Sequence, residues 1–239
     1  MKQDITLIIL AAGKNSRANY QNKALFAYKG ISCLENTIRV GLGLFSRIIV
    51  VGTAFCQEEY IDICRKYKGV DVISIVSGFG TLDALLKVVP CIHTDKMLMC
   101  WGDLWFKDDY AFIQTLNSNV VSPCIVPISY IANPYSWYIM DEDFRIKTTI
   151  WRRNNPDPVP YGYFDQSCYL MDKKVIVEQL TDYNRQCLSN GIESKLDVGY
   201  EVLQRNGNPA RGVVIDYGHV FHFNTQEEFL GLEKFLCNE

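Results

Sequence analysis

The sequence predicts an α/β fold in which a mostly parallel sheet is buried between helices and completed by antiparallel strands in the second half. Three observations predict it. Apolar runs at 7–10, 47–51, 70–76 and 96–101 have the continuous hydrophobicity of strands covered on both faces. Between them apolar residues recur at helical spacing, so strand and helix alternate through the first 120 or so positions. From about Val121 strand-like segments follow one another with turns alone between them.

The first strand runs through Leu7, Ile8, Ile9 and Leu10 and stops in Ala11, Ala12 and Gly13, with Arg17 and Lys23 close behind. Leu34, Ile38, Leu42 and Phe45 form a helical stripe over 32–44. A strand at 47–51, a helix at 58–67, a strand at 70–76, a helix at 81–89 and a strand at 96–101 then give a βαβα series. Ligands of such a sheet collect at the carboxyl ends of its strands. In the second half, strands at 123–128, 137–140, 144–151 and 166–171 read as an antiparallel meander. Residues 152–161, Arg-Arg-Asn-Asn-Pro-Asp-Pro-Val-Pro-Tyr, continue neither helix nor strand and read equally as a substrate loop or a surface excursion. Helices return at 173–180 and 193–206, short strands at 212–215 and 220–223. A last helix begins at Thr225, with Glu227 and Glu228 in its first turn at the positive end of the helix dipole.

At 239 residues the chain is long enough for one sizeable core, and it is read as one domain, 1–239, with halves meeting near residue 120. Lys plus Arg number 24 against 27 Asp plus Glu, a net charge of −3 without a basic stripe, which argues against nucleic acid as a partner. Nine cysteines without a Cys-x-x-Cys pattern fit reduced thiols and a cytoplasmic location. The first apolar run is too short to span a bilayer and no cleavage pattern follows it, so neither a membrane partner nor export is expected.

The chemistry begins at the end of the first strand. Ala11, Ala12 and Gly13 carry no bulk, so a base or polyphosphate can approach the backbone N–H groups, while Arg17 and Lys23 can neutralise phosphate oxygens. With Gly13 alone, the stretch fits neither a three-glycine dinucleotide fingerprint nor a P-loop. Leu10, Ala11, Ala12, Gly13, Arg17 and Lys23 together resemble the signature L-A-A-G-x-G-x-R…P-K of the nucleotidyltransferases with a GT-A-like fold: the molybdopterin (MobA-like), sugar-phosphate and cholinephosphate nucleotidyltransferases. Asn15 stands where that family has its second glycine and Asn22 where it has proline. The resemblance implies a three-layer, Rossmann-like fold with a mixed, mostly parallel sheet, a nucleotide-binding half (about 1–120) and an acceptor-binding half (about 121–239).

Three further constellations follow. Ser77-Gly78-Phe79-Gly80-Thr81 lies after a predicted strand, with Thr81 placed to cap the next helix. By resemblance, Ser77, Gly80 and Thr81 lie against the nucleotide base. Asp103, after Trp101-Gly102 at a strand's carboxyl end, suits a hard divalent ion, and the resemblance makes it the metal-binding aspartate. Phe221-His222-Phe223-Asn224-Thr225 resembles the family's closing element. His222 and Asn224, two apart on a strand, face one way, and the Asn224 amide oxygen suits Mg²⁺ (or Mn²⁺) better than imidazole. His222 itself is read as structural. The aromatics Trp101, Trp105, Tyr135, Trp137, Tyr138, Trp151, Tyr161, Tyr163 and Phe164 are mostly core, with a subset available to an acceptor and, if it is phosphocholine, to its ammonium. Lys147, Arg152 and Arg153 either reach the acceptor phosphate or solvate a loop.

The activity implied is transfer of a nucleotidyl group from an NTP to a phosphorylated small-molecule acceptor with release of pyrophosphate, supplying an activated precursor for cell-surface glycan or similar biosynthesis. Arg17 and Lys23 are its catalytic cations, and Asp103 and Asn224 its metal ligands. The stretch Gly-Phe-Gly-Thr-Leu-Asp-Ala in the base region differs from the Gly-Pro-Leu-Ala-Gly of the guanylyltransferases and favours a pyrimidine, CTP ahead of UTP. The competing readings are a glycosyltransferase of the same fold, against which the Arg17 and Lys23 loop argues, and a nucleotide-binding protein without turnover.

Overall fold

The computed structural model describes residues 2–13, 22–75, 78–155, 157 and 159–237, with Arg153 described by its backbone alone. Arg17 and Ser77 therefore lie outside the described residues, as do Asn15 and the rest of 14–21.

The first half alternates as its sequence pattern dictates. β1 (Gln3–Leu10) is followed by a small hairpin of β2 (Ala27–Tyr28) and β3 (Ile31–Ser32), then α1 (Cys33–Leu42), β4 (Phe45–Thr53), α2 (Gln57–Cys64), β5 (Val70–Ile75), α3 (Thr81–Val88) and β6 (Lys96–Trp101). Phe45, expected on the helical stripe, instead opens β4 and is buried there. α1 begins where Ser32 accepts a hydrogen bond from the Glu35 N–H, satisfying one of the donors a helix start leaves free.

β1 pairs in parallel with β4 and β6, and β4 with β5. The period of two along these strands divides the core. Ile8, Leu10, Ile49, Val51, Met97 and Met99 face one layer. Leu7, Ile9, Ile48, Val50, Leu98 and Cys100 face the other. α3 joins the first layer through Leu82, Leu85 and Val88; α1 and α2 join the second through Leu34, Ile38, Tyr60 and Cys64. The chain is a three-layer α/β/α structure.

The second half continues the same sheet. After β7 (Trp105–Phe106) and α4 (Tyr110–Leu116) come β8 (Cys124–Ala132), β9 (Ser136–Met140), β10 (Ile146–Trp151), β11 (Tyr161–Asp165) and β12 (Cys168–Asp172). They do not form the simple meander expected. β12 runs antiparallel between β6 and β8, β11 lies outside β8, and β9 and β10 make a separate hairpin. The reason is burial: β12 is apolar through Cys168, Tyr169, Leu170 and Met171, all buried, and a strand covered on both faces needs neighbours on both edges. α5 (Lys173–Ser189) extends well past the expected 180, and α6 (Leu196–Arg205) starts later than the expected 193. β13 (Arg211–Val214) pairs in parallel with β8, giving an eight-stranded, mixed, mostly parallel sheet. β14 (Val220–Phe221), α7 (Gln226–Phe229) and α8 (Leu232–Cys237) close the chain. There Trp105, Phe223, Phe229, Leu232 and Cys33 form a third, smaller apolar cluster. No helix among the described residues is long and apolar enough to cross a membrane.

Candidate active site

A cleft of about 740 Å³ opens across the carboxyl ends of the parallel strands, where the topology places ligands. The described nucleotide, catalytic and metal candidates line it: Leu10 at the end of β1 with Ala11, Ala12 and Gly13 after it; Lys23; Gly80 and Thr81 at the start of α3; Asp103 after β6; and Asn224 after β14. A smaller hollow of about 380 Å³ between α5 and α6 contains none of them.

The centre of the cleft is electrostatic. Lys23 sits in a single 3₁₀ turn, Lys23–Leu25, and its ammonium forms an ion pair with the Asp103 carboxylate. The same ammonium lies 3.4 Å from the Phe223 carbonyl oxygen and 5.5 Å from the centre of the Phe223 ring. One cation thus joins the end of β6 to the chain's closing segment. Gly102 makes the approach possible: its N–H donates to the Leu10 carbonyl at 2.9 Å, and a Cβ there would come within 2.9 Å of the Ala11 side chain.

The closing segment departs from expectation. β14 ends at Phe221, so His222 and Asn224 are not alternate residues of a strand but flank the buried Phe223 beyond it, with Asn224 in a bend. The Thr225 hydroxyl caps α7 by accepting the Glu228 N–H at 3.1 Å, and the Glu228 carboxylate reaches back to accept the Asn224 N–H at 2.5 Å, which together fix the entry to α7. His222 packs edge-on against Phe164, 4.9 Å between ring centres, and its Nε2 is buried without a hydrogen-bond partner among the described residues. Burial holds its pKa below the ordinary histidine range, against the opposing influence of Asp165 and Asp103. The imidazole is accordingly neutral at pH 7.

Asp103 and Asn224 offer hard oxygen donors, the chemistry Mg²⁺ accepts. Among the described residues no group of three or more His, Cys, Asp or Glu side chains forms a metal cage. That donor set fits an ion that takes one or two protein oxygens and completes its shell with phosphate and water.

At one end of the cleft, the start of α3 is bound to residues 194–196. The Ser194 N–H donates to the Phe79 carbonyl at 2.8 Å, the Leu82 N–H to the Ser194 carbonyl at 3.1 Å, and the Leu196 N–H to the Thr81 hydroxyl at 3.0 Å. Gly80, at φ +109°, presses on this segment so closely that a Cβ would lie 2.1 Å from the Ser194 oxygen. Thr81 does not cap its own helix as expected: Gly80 holds the cap position and Thr81 is the first helical residue, its hydroxyl serving the start of α6 instead. No described side chain caps α3: the Leu82 N–H goes to the Ser194 carbonyl, while Asp83 accepts the Phe79 N–H just ahead of the helix at 2.8 Å and pairs with Lys87 at 2.7 Å.

The far end is aromatic and acidic. Trp101, Tyr135, Tyr138, Trp151, Phe164 and Tyr169 line it, while Trp105 and Trp137 are core; Tyr161 stacks on Tyr130 and Tyr163 packs against it at a tilt, outside the cleft lining. The sequence did not single out its carboxylates. Asp165 accepts hydrogen bonds from the Ser167 hydroxyl and N–H and, at 2.6 Å, from the Tyr169 hydroxyl. Asp197 accepts from the Trp151 indole at 2.7 Å, and burial raises its pKa despite that bond and the nearby Lys195. Both come from regions whose charges read as solvated turns and helix faces. Lys147 and Arg152 do not line the cleft.

The site joins a loop of small residues, a lysine paired with a strand-end aspartate, and a second wall from the later strands. Residues 7–129 match the MobA-like NTP transferase domain, and the chain belongs to that family: it is a nucleotidyltransferase. Among solved structures it resembles the inositol-1-phosphate CTP transferase from T. maritima, with a TM-score of 0.78 and 15% identity over 99% of this chain and 96% of that one. It also resembles 4-diphosphocytidyl-2C-methyl-D-erythritol synthase from Anaerococcus prevotii DSM 20548 (0.69, 19%, 97% of each chain). HddC from Yersinia pseudotuberculosis is a third (0.72, 18%, 97% and 99%), and it has also been solved with GMP-PN. At these identities the likeness is one of fold. No curated protein matches the sequence.

Proposed function

We propose that the protein transfers a cytidylyl group from CTP to a phosphorylated small-molecule acceptor. An acceptor phosphate oxygen forms the new bond to the α-phosphorus, the bond from that phosphorus to the β-phosphate bridging oxygen breaks, and pyrophosphate leaves with the electron pair. No general base is needed, because a phosphate monoester is already anionic near neutral pH. Positioning and charge neutralisation carry the reaction. The observation that carries this reading is the Lys23–Asp103 pair in the middle of the cleft, between the small-residue loop and the acidic, aromatic far wall. Lys23 exchanges Asp103 for the α-phosphate and its attacker. Arg17 is assigned the leaving pyrophosphate from its place in the signature. Asp103 and Asn224 would hold Mg²⁺ or Mn²⁺, which when bound supplies further neutralisation of phosphate charge.

CTP is favoured by the names of two neighbours, a CTP transferase and a diphosphocytidyl synthase, and by the sequence of the base region; the GMP-PN complex of HddC is the counter-example. At the far end Asp165, Asp197 and Glu193 face one cation among the described residues, Lys195, which favours an acceptor tail that is neutral or cationic over a carboxylate. The nine cysteines, all free, support a cytoplasmic location.

A pyrophosphate-release screen of four NTPs against alditol phosphates, sugar 1-phosphates, phosphocholine and phosphorylated sugar acids tests all of this. CTP with an uncharged or cationic acceptor should respond, chelator should abolish the response, and Lys23→Ala, Arg17→Ala and Asp103→Ala should each lower turnover by about 10²–10³ without unfolding the protein. Wild-type rates in the lysine and arginine variants would overturn the reaction; a preference for GTP or ATP would overturn the pyrimidine.

A further inference from the structure

Lys23 is held by a turn of three residues, and what fixes that turn comes from elsewhere in the chain. Its cap, Asn22, uses both ends of its amide. The Oδ1 accepts the Ala24 N–H at 3.2 Å, and the Nδ2 donates to the Tyr60 hydroxyl at 2.8 Å. That hydroxyl donates in turn to the Ala11 carbonyl at 2.9 Å. Tyr60 belongs to α2, is fully buried, and lies with its ring against Gly52, where a Cβ would come within 2.5 Å of it. Burial raises its pKa, so the hydroxyl keeps its proton.

We infer that Tyr60 is a positioning residue for nucleotidyl transfer: through Asn22 it ties the turn carrying Lys23 to the Ala11 carbonyl in the nucleotide loop, so that the two halves of the phosphate site move as one. This rests on the reading of Lys23 given above. A hydroxyl kept only to satisfy itself would need one partner. This one bridges a side chain and a main-chain carbonyl across the entry to the cleft, and Asn22 spends its second amide group on the turn. Asn22 sits at φ −74°, ψ 101°, a conformation proline adopts without strain. Proline there would stiffen the same junction without the hydroxyl.

The test is a set of variants, Tyr60→Phe, Asn22→Ala, their double, and Asn22→Pro in the Tyr60→Phe background, followed by two readouts. The first is amide hydrogen exchange at Ala24, Leu25 and Phe26, whose N–H groups bond within the turn. The second is turnover with the best NTP and acceptor of the screen. Tyr60→Phe should speed exchange there about tenfold and lower kcat about tenfold, with the KM for NTP changed less than twofold. The double variant should be no worse than the poorer single one, because the two residues act in one chain of bonds. Asn22→Pro should recover at least half of the lost kcat. Unchanged exchange in Tyr60→Phe, full additivity, or failure of proline to restore any kcat would each overturn the inference. If the wild type turns over no NTP, it is the reading of Lys23 that fails, and exchange alone then decides whether Tyr60 holds the turn.

Discussion

At the scale of single residues, the groups that read correctly are those whose chemistry shows in their own type and place. Ala11, Ala12, Gly13 and Asp103 follow apolar strands and have little reason to be there except as strand ends open to a ligand, and all of them line the cleft. Tyr60 gives no such sign: its ring belongs to a helical stripe, and its hydroxyl acquires meaning only when Asn22 and Ala11 are brought to it. Asp83 is a similar case, one turn into α3 and 1% exposed. Burial pushes its carboxyl up, but Lys87, the Phe79 N–H and Asn184 together outweigh that and hold its pKa below the ordinary aspartate value. A carboxyl depressed in the folded state stabilises the protein at pH values above its unfolded pKa, about 3.9, and loses that contribution as pH falls through the folded value. Asp83→Asn should therefore cost about 1–3 kcal/mol at pH 7. Urea midpoints measured from pH 7 to pH 3 should show the gap to wild type narrowing below about pH 4; a gap independent of pH would mean that the charge is not what Asp83 contributes.

At the scale of elements, strands with strong periodicity were legible and their partners were not. The apolar run around 168–171 marked a strand, but its position between β6 and β8 depends on which edges remain open, a property of the assembled sheet. β11 was missed because it follows a proline-rich stretch and carries Gly162, and it is held by pairing with β8 rather than by its own propensity. The start of α6 was misplaced for a comparable reason: Ser194 is drawn out of the helix by its two bonds, to the Phe79 carbonyl and from the Leu82 N–H. That junction predicts two distinct outcomes. Gly80→Ala meets both a positive φ and a backbone oxygen, and should cost about 2–4 kcal/mol in urea denaturation. Thr81→Val removes only the hydroxyl that receives the Leu196 N–H, costing about 1–2 kcal/mol. Because α6 carries Asp197 and Tyr200 on the far wall, Thr81→Val should raise the KM for acceptor more than the KM for NTP. The opposite split would return Thr81 to direct contact with the base, the role its resemblance implies.

At the scale of the whole molecule, a division near residue 120 does not separate folding units. β6 lies before that division in sequence, yet one of its edges is covered by β12, with Cys100 opposite Cys168 and Leu98 opposite Leu170. The larger core cluster draws Ile8, Ile49 and Met99 from the first half together with Ile176, Tyr200 and Ala210 from the second. Cutting the chain at 120 would expose that strand edge and open the core on one face, leaving unpaired backbone groups and apolar surface whose combined cost exceeds the few kcal/mol by which a domain is stable. The two halves should therefore unfold together. The chain carries its own reporters: Trp101 and Trp105 lie before the division, Trp137 and Trp151 after it. In urea, fluorescence of variants retaining either pair should show one transition, coincident with loss of far-UV circular dichroism, and a fragment of residues 1–120 should not fold alone. Two separated transitions, or a folded fragment with cooperative melting, would show that the nucleotide half is a domain in its own right.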